Sequence, residues 1–300
     1  MRFGSARRMR SLAVMSYGRA ERDIVSRIRK SIGQSASVRR HKIRALLDSF
    51  YGMAFVAGER KSTADLLSVS SALARIVGLR SSSFGKLPVC DGLIVVSNHV
   101  GIAKLFKVDF ASLYRRVHGK CVSIDPGMRH ESFVNDDPNI LLFYPVIDSI
   151  AQLAESRSIF PICVTITHTA KLQVLSEALG FVSLDANGRF LYRELLELVD
   201  RAVEGASLRK QFPVVMIFPE GGTSGKLSGG GPYELGKFYT GYYRLARDFG
   251  FPVMQVAVQY TRAMHCRVTV GRAKSVSSLS ARTHAESVRR WMQRRLPRSK

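Results

Sequence analysis

Cysteine is scarce in this chain. Cys90, Cys121, Cys163 and Cys266 are widely spaced, with no C-x-x-C pair. The spacing excludes the usual zinc and redox motifs and a disulfide-stapled scaffold, and it suits a reducing compartment. Long apolar runs are also missing: no stretch of 18 uncharged apolar residues exists, which argues against a membrane-spanning helix. Acidic residues are few, with 23 Asp+Glu against 46 Lys+Arg, for a net charge of +23. Such an excess points to an anionic partner, either nucleic acid or a phospholipid surface. Proline (10) and glycine (24) are not in excess and 46% of residues are hydrophobic, so bulk disorder is excluded. Internal repeats and low-complexity tracts are absent. Three hundred residues suffice for one large domain or two modest ones with a core of their own.

The charge gathers at the ends. Residues 1–45 contain 13 Lys+Arg opposed only by Glu21 and Asp23. We read residues 1–60 as a basic, partly helical arm. Its Arg-rich, acid-free first 20 residues are also compatible with mitochondrial targeting. At the other end, residues 276–300 predict a basic amphipathic helix. Thr283 and Glu286 have capping-box spacing, and Val288, Trp291, Met292 and Leu296 follow at helical intervals with arginines on the other faces. That stripe, carrying the sole tryptophan, suits a helix lying among lipid headgroups or one docked on the domain.

Between the ends, residues 61–275 alternate strand and helix patterns. Leu93–Val96, Phe160–Ile166, Val214–Phe218, Val253–Tyr260 and Arg267–Val270 read as strands. Leu191 to Ala202 reads as a helix ended by Gly205, and the stretch carrying Phe238, Tyr242, Leu245 and Phe249 as a helix closed by Gly250. Continuous apolar strands between helices predict an α/β fold: a central, mostly parallel sheet covered by helices on both faces. Sites in such sheets form on loops leaving the carboxyl ends of strands. Asn98-His99 and Glu220-Gly221 both occupy such loops.

A histidine directly after a buried strand is suited to act as a general base. The second loop, Gly221-Gly222-Thr223-Ser224-Gly225-Lys226, offers backbone N–H groups, two hydroxyls and an ammonium, a combination that suits phosphate. It is not a nucleotide P-loop: Gly221 precedes Gly225-Lys226 by one residue too few, and Leu227 follows where Ser or Thr is required. It is not a serine-hydrolase elbow either, because Lys226 stands where that motif needs its closing glycine.

A strand ending in Asn98-His99 and a later one ending in Phe218-Pro219-Glu220-Gly221 resemble the N-H-x-x-x-x-D and F-P-E-G-T blocks of the glycerophospholipid acyltransferase family, of the lysophosphatidic acid acyltransferase type. Gly180 to Asp185 is similar to that family's second block, with Ala186 where an arginine is expected. Pro252 to Ala257 is similar to its fourth block, with Gln255 replacing a proline. The resemblance covers roughly residues 85–262. It implies a glycerolipid acyltransferase-like fold and acyl transfer from acyl-CoA or an acyl carrier protein to a lysophospholipid or related lipid, with no bound cofactor and no metal. His99 would be the base and Glu220 would orient the site. Asn98, Lys104, Gly221, Gly222, Thr223, Ser224 and Lys226 would contact the substrate. The implied setting is cytoplasmic and peripheral to an anionic phospholipid membrane.

The main departure lies in the first block, where Lys104 occupies the aspartate position. A carboxylate there would stabilise imidazolium, whereas an ammonium opposes it. Three readings follow: Asp109 (or Asp125) substitutes for the missing carboxylate, the acceptor is an amine, or the chain is a lipid-binding relative without catalysis. Nucleic-acid binding is a further alternative that rests on net charge alone, with no recognition motif to support it.

Overall fold

The computed structural model describes residues 71–100, 140–167, 181–185, 192–221, 224, 231–261, 265–276 and 279–297, apart from 72–73, 76, 84–85 and 155–156. The basic arm lies outside them, as do Lys104, Asp109, Asp125, Gly222, Thr223 and Lys226.

Seven strands form one sheet: β1 (Arg80–Ser83), β2 (Leu93–Ser97), β3 (Ile159–Thr167), β4 (Val182–Asp185), β5 (Phe212–Ile217), β6 (Val253–Tyr260) and β7 (Cys266–Val270). Their spatial order is β1-β7-β6-β2-β5-β3-β4. All neighbouring pairs are parallel except β6–β7. The fold is therefore α/β with a mixed, mostly parallel sheet. β2 is central, paired with β5 through Val95↔Met216 and with β6 through Val95↔Met254. Every residue of β2, four apolar side chains and then Ser97, is buried.

Four helices complete the described fold: α1 (Ile140–Ala154), α2 (Tyr192–Leu208), α3 (Gly241–Phe249) and α4 (Ala281–Gln293). α1 packs on β3, β6 and β7, and α2 on β3, β4 and β5. α3 packs on β2, and α4 on β6 and α3. Gly250 closes α3 as its sequence predicts, at φ 68° with its N–H on the Arg247 carbonyl. Among the described residues no helix is long and apolar enough to cross a membrane.

Two sequence expectations are corrected, and one open alternative is decided. α2 runs through Gly205 to Leu208, and Lys210, at φ 54°, takes the left-handed closing position while the Gln211 N–H reaches back to the Ala206 carbonyl. The N-cap of α4 is Ser280, not Thr283. Ser280 has extended backbone, and its hydroxyl accepts the Thr283 N–H at 3.2 Å. Glu286, freed from the capping role, pairs with Arg289 and Arg290 one turn along. Finally, the stripe of α4 is docked: Val288, Met292 and Leu296 are buried in the same core as the sheet, with Trp291 packed against it. Residues 281–296 thus belong to the packed α/β unit, and the face α4 leaves to solvent is its arginine-rich one.

Candidate functional site

Because β2 and β5 are parallel neighbours in register, the loops leaving their carboxyl ends emerge side by side. β2 stops at Ser97, opposite Val256, whereas β6 continues to Tyr260. Side chains serve the edge that β2 leaves. The Asn98 amide donates to the Val258 carbonyl at 3.0 Å and accepts the Val258 N–H at 2.8 Å. The Tyr233 hydroxyl does the same for Tyr260, donating at 2.6 Å and accepting at 2.7 Å. Asn98 is fully buried and its amide is committed to β6. It therefore holds the turn in place against β6.

Polar bonds join the two loops. The His99 N–H donates to Glu220 Oε1 at 3.2 Å, and the His99 carbonyl accepts the Ser224 N–H at 2.6 Å. The Ser224 hydroxyl donates to the same Glu220 oxygen at 2.6 Å, while the Gly236 N–H donates to Glu220 Oε2 at 3.0 Å. One carboxylate thus ties together the turn after β2, its own turn after β5, and the segment leading to α3. The His99 imidazole is buried edge-on to the Phe218 ring, centroids 4.8 Å apart, and Phe218 in turn rests on Phe143 of α1.

Glu220 is only 4% exposed, and burial pushes its carboxyl above the usual carboxylate range. Donation from Ser224, Gly236 and His99, together with the Arg289 guanidinium, acts in the opposite direction. The turn itself needs Gly221. Its φ is 64°, and a Cβ there would lie 3.0 Å from the Tyr239 ring. The Gly221 N–H closes the turn on the Phe218 carbonyl at 3.2 Å.

The structure therefore brings His99, Glu220, Gly221 and Ser224 together, as the sequence led us to expect, but it assigns their polar groups differently. The Ser224 hydroxyl and amide, expected to meet a phosphate, face inward to Glu220 and His99, and Ser224 is 1% exposed. The Gly221 amide is engaged within its own turn. Sequence reading missed Tyr233, Gly236 and Arg289, which lie outside both motifs. Among the described residues no group of three or more His, Cys, Asp or Glu side chains is placed to hold a metal ion. No protein-family model and no curated protein matches the chain.

Proposed function

We propose that the protein is a peripheral membrane acyltransferase, moving an acyl group from a thioester to a lysophospholipid or related lipid acceptor. The observation that carries this reading is the joining of the His99 and Glu220 turns at the carboxyl ends of adjacent parallel strands. A buried imidazole on a backbone held by Glu220, beside a loop rich in glycine and hydroxyls, is the arrangement the acyltransferase resemblance calls for. The crossovers favour the double-sided α/β fold of such enzymes: β2→β3 and β5→β6 run in opposite directions, and right-handed connections of opposite direction cover both sheet faces.

In this mechanism His99 takes the proton of the acceptor hydroxyl as its oxygen attacks the thioester carbonyl. The carbon–sulfur bond breaks, and the proton returns to the leaving thiolate. Glu220 acts through the backbone, fixing the His99 peptide and hence the direction of its ring. With Ser224 turned inward, contact with the acceptor's anionic group falls to Gly222, Thr223 and Lys226. Arg-rich surfaces, including that of α4, draw the chain to anionic headgroups, each basic side chain near the surface contributing about 1 kcal/mol.

Lys104 favours a second reading, a lipid-binding relative that performs no transfer. Acyl-CoA turnover with a lysophospholipid acceptor separates the two. The acyltransferase reading expects lipid-dependent CoA release that falls about 10²- to 10⁴-fold in His99→Ala. Equal, background-level release from both proteins, with anionic vesicles still bound, would leave only the lipid-binding relative.

A further inference from the structure

α4 reaches the candidate site through side chains that grip the backbone beside Glu220. Arg289 and Gln293 stand one turn apart on this helix, and both reach the segment that carries Gly236. Gln293 Oε1 accepts the Leu235 N–H at 3.0 Å, and its Nε2 donates to the Tyr233 carbonyl at 3.1 Å. Arg289 donates to the Leu235 carbonyl at 3.5 Å. That carbonyl and the Gly236 N–H belong to one peptide group, whose N–H end rests on Glu220 Oε2. A guanidinium at the oxygen end and a carboxylate at the hydrogen end both align with this peptide's dipole, and bonds in such a chain polarise one another. Arg289 is itself oriented by a two-pronged pair with Glu286, at 2.9 Å on each side.

We infer that Arg289 and Gln293 are positioning residues for Glu220, with α4 holding the Leu235–Gly236 peptide against the carboxylate that fixes the His99 turn. This rests on the acyltransferase reading only for its consequence in turnover; the positioning is a property of the fold. A helix far along the chain from both motifs thereby sets the direction of the His99 backbone, and whatever loosens α4 loosens the base.

Hydrogen exchange on the full-length protein tests the positioning apart from activity. In Gln293→Ala, and separately in Arg289→Met, exchange of amides in residues 233–237 and of the His99 amide rises about tenfold, equivalent to roughly 1.4 kcal/mol of opening free energy. Exchange in β2 and β5 stays at the wild-type rate. Gln293→Glu retains the oxygen that accepts the Leu235 N–H and restores slow exchange at 235. Glu286→Gln, which leaves Arg289 its contact with Leu235, has a smaller effect. If residues 233–237 loosen while the His99 amide does not, or if only α4 itself loosens, the inference is overturned. In turnover, Gln293→Ala lowers kcat about tenfold with KM unchanged. A wild-type protein without turnover removes the acyltransferase reading, while the exchange result still decides the positioning.

Discussion

At the scale of single residues, Glu220 carries the most consequence. Its carboxyl is raised above the ordinary value by burial, so between that ordinary value and the raised one the folded chain holds a proton that the unfolded chain has released. Stability contributed by this group therefore falls as pH rises through that window and is level above it. Ser224→Ala removes a donor to the ionised form, which moves the carboxyl further up and widens the window. We expect Ser224→Ala to cost about 2 kcal/mol at pH 8 and clearly less at pH 4. Urea midpoints at the two pH values, with Glu220→Gln as the reference lacking the titration, measure the difference. A loss equal at both pH values would mean that Ser224 acts on some group other than Glu220.

At the scale of elements, the helix start is where sequence and structure part most usefully. Ser280 and Thr283 both have cap chemistry, and only local backbone geometry decides between them. Ser280→Ala should cost about 1 kcal/mol and Thr283→Ala less, read from thermal or urea midpoints. Equal losses would return the cap to a shared role. The buried strands were legible because β2 and β5 are short apolar runs bounded by turn residues, and β6 is apolar but for Gln255 and Gln259. β1 was not: Arg-Ser-Ser-Ser is exposed throughout and carries no apolar signal, its pairing being supplied by β7. α1 was not legible either, since it is apolar nearly all round, with Pro145 inside. At the site, the motif residues marked the two turns correctly. Their partners escaped because Gly236 contributes only an amide and Arg289 sits among many arginines, so nothing in residue type distinguishes either.

For the molecule as a whole, the docked α4 bears on the proposed membrane attachment. Its apolar stripe is occupied by the core, and Trp291 lies against Gly271 with the Arg295 guanidinium 3.9 Å from its ring centroid. On the proposed membrane reading, the contribution of α4 would therefore rest on charge, and vesicle binding should weaken as salt screens it. The sole tryptophan reports on this directly. Its emission maximum should stay in place as anionic vesicles co-sediment the protein, and vesicle binding should fall with added salt. A blue shift on binding would mean that α4 leaves the core and buries its stripe in lipid.

The central place of β2 also bears on how the protein is made. Its partners arrive late: the Asn98 side chain waits for Val258, 160 residues downstream. At about 5–20 residues per second, the ribosome needs roughly 8–30 s to supply that partner, and meanwhile an apolar ribbon with two open edges is present on the nascent chain. Synthesis of this protein in the cell should therefore lean on chaperones that shield emerging hydrophobic segments, and a slow refolding step should coincide with the arrival of β6.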